Sequence, residues 1–201
     1  VISRKGVTVR RQRISIEGVV QGVGFRPFVF QLARRFEVAG SVRNDGHGVT
    51  IEAEAPAGQL AAFVAALQAE PPPLAAITAV VATELPVTGS RGFVILTSRA
   101  DQAARVEIPA DSATCADCLQ ELLDPADRRH RYPFINCTNC GPRFTIVTGI
   151  PYDRPLTTMA GFSMCPACLA EYHDPASRRF HAQPNACAAC GPQLTLLDGH
   201  G

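Results

Sequence analysis

Two sets of residues in this chain have the types and spacing to do chemistry. The first is a set of eight cysteines in four CxxC pairs: Cys115 with Cys118, Cys137 with Cys140, Cys165 with Cys168, and Cys187 with Cys190. Thiolates at this spacing take two corners of a tetrahedron from one tight turn, and two such turns close a four-sulfur zinc site. Adding 50 to the first four numbers gives the second four, and CxxC-x18-CxxC recurs unchanged. Between Cys115–Thr145 and Cys165–Thr195, 14 of 31 positions are identical, so this is a tandem repeat. Eight thiolates supply two structural Zn²⁺ with no open coordination position. Each repeat holds little apolar material, "LQELL" and "LAEY", so the metal must supply much of its folding free energy. Ligation within each repeat is the simpler arrangement; crosswise ligation between repeats also satisfies the spacing. His130, His173 and His181 are surplus to four-sulfur sites. The twin arginines Arg128-Arg129 and Arg178-Arg179 are expected on Asp124, Asp127, Asp174 or finger backbone, or else on an anionic cofactor or partner.

The second set is smaller. "VVQGVGFRPF" ends an apolar run in a glycine turn with one arginine at its tip. A glycine turn feeding a helix points several backbone N–H groups at one centre, and the helix dipole adds partial positive charge there. Gln21, Gly22, Val23, Gly24, Phe25 and Arg26 therefore form a candidate anion cradle. Arg26 can grip a phosphoryl group through two donors. Further on, "GSVRNDG" carries Asn44 at the end of a strand, on the face shared by Val38, Gly40 and Val42. Its amide both donates and accepts, so it can hold a water in line with a bound phosphorus. Asp45 and His47 lie close in sequence but are not needed as an acid or base.

The elements that must position these residues follow from periodicity. "RISIEGVV" alternates like a half-buried strand, and Phe28, Val29, Leu32 and Phe36 recur at helical spacing. Pro27 suits the first helical position. A second strand runs into the Asp45-Gly46 turn and is expected to pair beside the first. "VTIEAEA" alternates again, and Leu60, Phe63, Val64 and Leu67 mark a second helix closed by "EPPP". "ITAVVATEL" and "GFVILT" supply one or two last strands. The order β-α-β-β-α-β predicts an α+β, ferredoxin-like sheet with helices on one face, over residues 10–98. A polar linker, 99–114, leads to a finger over 115–145, an inter-finger segment over 146–164 and a second finger over 165–195. The linker predicts energetically separable regions. With no cysteine in the first region, hydrolysis there is expected to survive metal removal.

Composition narrows the classes. A net charge of +1 over 201 residues gives no basic face for nucleic acid. No apolar run is long enough to span a bilayer, and the N-terminus has no apolar signal core. Four CxxC pairs without an export signal favour metal thiolates in a reducing, cytoplasmic compartment. The chain starts at Val1 and stops at "LDGHG", which fits a piece of something longer.

"GVVQGVGFRPF" followed by "GSVRNDGHGVTIEAE" resembles both signature stretches of the acylphosphatase family. The resemblance implies that Arg26 binds the phosphate, that Asn44 orients the attacking water, and that the Gln21–Arg26 amides complete the site. The implied substrates are acyl or carbamoyl phosphates, hydrolysed without metal. The repeat, beginning "CADCLQELLDPADRRHRYPFINCTNCGPRF", is similar to the paired zinc fingers of HypF-type carbamoyltransferases. In the second copy Ala182, Gln183 and Ala186 replace Tyr132, Pro133 and Asn136. That family implies carbamoyl transfer to the HypE maturation protein for hydrogenase cyanide ligands. ATP enters through downstream transferase domains absent from this chain. The competing reading is a finger docking module beside a catalytically silent ferredoxin-like domain.

Overall fold

The computed structural model describes residues 8–99 and 107–199; positions 100–106 of the expected linker lie outside them. The first region runs β1 (Val9–Val19), α1 (Phe25–Arg35), β2 (Ala39–Asn44), β3 (Val49–Pro56), α2 (Ala57–Ala69), β4 (Ala76–Leu85) and β5 (Phe93–Ile95). The sheet order is β4-β1-β3-β2-β5. All neighbours are antiparallel except β2 and β5. Both candidate last strands thus form.

Ile14 and Ile16 of β1, Val42 of β2 and Ile51 of β3 point to the same side. They meet Val29 and Leu32 of α1 and Leu60, Phe63 and Leu67 of α2 in one buried core. Opposite them, Arg11 and Arg13 share the Glu52 carboxylate at 2.6 and 3.0 Å. This division of faces is the period-two pattern of β1 made visible.

Two expectations are corrected. β2 does not pair with β1, because β3 lies between them. Asn44 still comes close to the β1 end, since it faces Val49, which faces Ile16. The helix begins at Phe25 rather than Pro27. Pro27 falls third in the first turn, where its missing N–H is still one of the unpaired four.

In the second region, α3 (Ala116–Leu123) and α4 (Pro166–His173) each start directly after a CxxC cysteine. The repeat extends to the backbone. Arg131 and His181, 50 apart, both have left-handed φ, 58° and 54°. Their N–H groups donate to Leu122 and Tyr172. Among the described residues no helix is long and apolar enough to cross a membrane.

Candidate active site and metal clusters

The glycine turn between β1 and α1 forms as the sequence requires. Gly22 and Gly24 sit at φ 73° and 77°, where an L side chain would be strained. Val23 and Phe25 bury their side chains in the core. The first turn of α1 has no side-chain cap and no acidic residue, so its positive dipole end is unopposed from within the helix. Gln21 contributes more than an amide. Its Nε2 donates to the Asp45 and Gly48 carbonyls at 2.8 and 2.7 Å, and its Oε1 accepts from the Tyr152 N–H at 2.9 Å. It stitches the cradle both to the β2–β3 turn and to the inter-finger segment.

Arg26 is buried. Its guanidinium donates to Ser98 Oγ at 3.2 Å and the Tyr152 carbonyl at 3.3 Å, and it pairs with Asp153 at 2.8 Å. Asn44 is fully buried, and neither its Nδ2 nor its Oδ1 has a partner. An amide buried without a partner costs roughly 1–3 kcal/mol. That cost is relieved by whatever polar group enters beside it. Asp45, by contrast, is committed to the turn. One carboxylate oxygen accepts from the His47 and Gly48 N–H groups at 2.9 and 3.0 Å, the other from Thr50 Oγ1 at 2.5 Å.

The second region closes over this cradle, so the regions are not separate. A Cβ on Gly22 would meet Pro142 at 2.5 Å and Tyr152 at 3.1 Å, and one on Gly24 would meet Thr138 at 3.1 Å. Phe30 of α1 stacks edge-on against Phe180 with ring centres 5.2 Å apart. What remains over the cradle is a cavity of about 20 Å³, bounded by Arg26 and Asn44 on one side and by Asn136, Thr138, Tyr152 and His181 on the other. That is room for about one water. Beyond Arg26 and Asp153 a larger cavity of about 560 Å³ opens. Burial, with the positive charge of Arg26, pushes the His181 imidazole down to about 4, so it is neutral near pH 7.

The cysteines gather into two clusters, each within one repeat: Cys115, Cys118, Cys137 and Cys140, and Cys165, Cys168, Cys187 and Cys190. Sulfur separations of 3.6 Å (Cys115 to Cys137) and 3.9 Å (Cys137 to Cys140) in the first cluster are matched by 3.8, 3.8 and 3.6 Å in the second. A disulfide needs about 2.05 Å. A tetrahedron of sulfurs about 2.3 Å from a central zinc has edges of about 3.8 Å, so both clusters fit a metal. Through their mutual hydrogen bonds, the Cys118 thiol is driven up and Cys140 driven down. Four negative charges cannot share so small a volume without a cation.

The twin arginines do not pair with the aspartates proposed for them. Asp124, Asp127 and Asp174 instead accept backbone N–H groups two residues on, at 2.9, 2.7 and 2.9 Å. The guanidiniums cross to the other repeat. Arg128 and Arg129 both reach Glu171 at 2.5 Å and lie over Cys168. Arg178 reaches Glu121 at 2.5 Å, Arg179 binds the same carboxylate, and both lie over Cys118. Arg129 Nε donates to the Ala186 carbonyl at 2.9 Å, and Arg179 Nε to the Asn136 carbonyl at 3.1 Å. Burial alone would raise the Glu171 carboxyl, but its two arginines outweigh that and hold it at about 2. The fingers brace each other about a pseudo-two-fold axis.

Comparison with known proteins agrees with both halves. The acylphosphatase family model matches residues 12–95, and the HypF finger model matches 114–147 and again 164–197. The carbamoyltransferase HypF2 of Cupriavidus necator is 52% identical over 154 residues, which is 76% of this chain and 19% of that protein. The carbamoyltransferase HypF of Rhizobium leguminosarum bv. viciae is 50% identical over 152 residues, 76% of this chain and 20% of the relative. This chain belongs to the HypF carbamoyltransferase family. It spans about a fifth of the length of these curated relatives. A crystal structure of full-length HypF in a phosphate- and nucleotide-bound form superposes with a TM-score of 0.91 at 47% identity, covering 96% of this chain and 26% of that one.

Within this HypF region, the residues the sequence reading missed all come from the finger half: Asn136, Thr138, Tyr152 and Asp153. One signal was available. Asn136 is among the positions where the second repeat departs from the first, so its side chain is not required by the finger frame.

Proposed function

We propose that this region hydrolyses acyl phosphates, with carbamoyl phosphate as the physiological member. The observation that carries the proposal is that buried Arg26 and the unpartnered Asn44 amide line one cavity at a glycine turn. Arg26 and the Gln21–Arg26 amides hold the phosphoryl oxygens, and Asn44 holds a water. The water oxygen bonds to phosphorus as the phosphorus–oxygen bond to the acyl group breaks. The electron pair leaves with the carboxylate or carbamate, and the water's proton goes to solvent. An acyl phosphate has a good leaving group, so positioning and charge stabilisation suffice. A silent domain serving only as a scaffold for docking fingers gives no reason to keep Asn44 buried and unpaired.

The metal of both clusters is zinc and structural, with all four positions taken by thiolates. Carbamate formed here is the input for carbamoyl transfer to the HypE maturation protein. The ATP-dependent steps belong to transferase domains outside this span. The setting is the reducing cytoplasm. The test is turnover of carbamoyl and acetyl phosphate by this region without added metal. Arg26→Ala should abolish binding and turnover together, and Asn44→Ala should mainly lower kcat. Full activity in Arg26→Ala would refute the assignment.

A further inference from the structure

Asn44 is one of two buried, unpartnered amides in the small cavity. The other belongs to the finger: Asn136 is 3% exposed, and neither its Nδ2 nor its Oδ1 has a partner. It lies one residue before Cys137 and lines the cavity with Asn44 and Arg26. The finger itself does not need this side chain. The backbone task at this position is to present a carbonyl to an arginine of the other repeat, Asn136 to Arg179. Ala186 performs the same task for Arg129 without an amide. Two buried polar atoms are thus left unsatisfied at a place where the repeat shows that alanine suffices. Buried polar groups without partners are uncommon enough in folded proteins to call for an explanation.

The unsatisfied pair is one donor and one acceptor on a single planar group. A phosphoryl group offers acceptors only, and the cradle already supplies donors for it. A carbamoyl group offers a carbonyl oxygen and an N–H, the complement of a side-chain amide. The two asparagines also come from different matches. Asn44 falls within the acylphosphatase span and Asn136 within the first finger span. Any acyl phosphate needs the water that Asn44 holds; only a particular acyl group needs a second amide.

We propose that Asn136 is a specificity-determining residue of the acyl-phosphate site, its Oδ1 accepting the carbamoyl N–H and its Nδ2 donating to the carbamoyl oxygen. The finger therefore forms the acyl-recognition wall of the cavity as well as its lid. This rests on the acyl-phosphate reading given above. Carbamoyl phosphate exceeds the space of about 20 Å³, so recognition accompanies opening of the Asp153 contact to Arg26.

The experiment compares kcat/KM for carbamoyl phosphate and acetyl phosphate in the whole chain and in Asn136→Ala. Acetyl phosphate carries a methyl where the carbamoyl group has its NH₂. The variant copies the residue of the second repeat, and metal analysis with thermal unfolding verifies that the finger is intact. Carbamoyl phosphate turnover should fall about tenfold to a hundredfold and acetyl phosphate turnover several-fold less, collapsing the preference between them. Competitive inhibition by inorganic phosphate should be unchanged, because the phosphoryl end is held by the cradle. An unchanged ratio of the two substrates overturns the proposal. So does phosphate inhibition weakening in step with turnover, which would place Asn136 on the phosphoryl end. Hydrolysis of neither substrate by the unmodified chain overturns the acyl-phosphate reading itself, and this proposal with it.

Discussion

The Arg26–Asp153 contact sets up a competition that can be measured. Arg26 is 8% exposed and Asp153 19%, and their charged atoms are 2.8 Å apart. Any phosphoryl group gripping Arg26 must displace this carboxylate or share the guanidinium with it. At an effective dielectric of about 20, the attraction is on the order of 6 kcal/mol. Desolvation of both partners cancels most of it, leaving about 1–3 kcal/mol net. Asp153→Asn keeps the shape and one oxygen but removes the charge. Arg26 then retains Ser98 Oγ and the Tyr152 carbonyl, which satisfy donors without neutralising the cation. Inorganic phosphate should therefore bind Asp153→Asn about tenfold to a hundredfold more tightly, the equivalent of about 1.4–2.8 kcal/mol. Without ligand, the variant should be less stable by about 3–5 kcal/mol, because a buried charge has lost its counterion. Titration calorimetry with phosphate and urea unfolding read the two effects on one preparation. They must move in opposite directions. Phosphate binding that is unchanged or weaker in Asp153→Asn would refute the reasoning, and with it the placement of the phosphoryl group on Arg26.

Three further outcomes follow from the same geometry. Elemental analysis should find two zinc ions per chain, and a strong chelator should lower hydrolysis as well as unfold the fingers, because Asn136 and Thr138 line the cavity; full activity after metal removal would separate the fingers from the site. Removing the shared carboxylate by Glu121→Gln or Glu171→Gln should cost about 1–3 kcal/mol of finger stability, since each takes away the carboxylate that two arginines share, with Arg178 keeping only Asp117 in the first case; an unchanged melting temperature would show that the cross-brace is inert. The lowered value of His181, about 4, means the unfolded chain takes up a proton as pH falls below about 6.5 while the folded chain does not. That share of stability is present above about 6.5 and lost as pH falls towards 4, and His181→Gln should flatten the slope in urea titrations at pH 7 and 5.

The first region is legible in the sequence because its signals are local. Alternation in β1 and β3, helical spacing in α1 and α2, and glycines at 22 and 24 each specify a backbone state without reference to distant chain. The order of β2 and β3 beside β1 is not local. Chain order says that β2 comes next. The sheet places β3 there, because the helix crossover from β1 leaves a gap that the β2–β3 hairpin fills. The cysteine clusters are legible because eight thiols at fixed spacing leave few ways to close two tetrahedra. What spacing cannot show is which carboxylates the arginines reach. Glu121 and Glu171 lie on α3 and α4, and their partners sit more than 40 residues away in sequence.

The same limit hid half of the candidate site. Arg26 and Asn44 stand in one contiguous stretch of fold and announce themselves by their neighbours. Asn136 and Asp153 reach the cavity only because the finger half folds back onto the cradle, held by Gln21 to Tyr152, Phe30 to Phe180, and Pro142 and Thr138 against the two glycines. A tandem repeat nevertheless carries its own control. Positions that keep their identity under the shift of 50, such as the cysteines, both glutamates and all four arginines, are those that the two-fold brace uses twice. Positions whose side chains diverge are available for tasks on one side only. Asn136 against Ala186 is such a position, its contact with the other repeat being made by the backbone carbonyl alone; Thr138 against Ala188 also diverges, though its Oγ1 donates to the Arg178 carbonyl at 3.0 Å. Thr138 presses on Gly24 and Asn136 lines the cavity, so the first finger differs from its twin at two of the residues it brings to the cradle, while Pro142 against Gly22 keeps its identity. Symmetry explains how the fingers stand, and its breaking marks where the first one works.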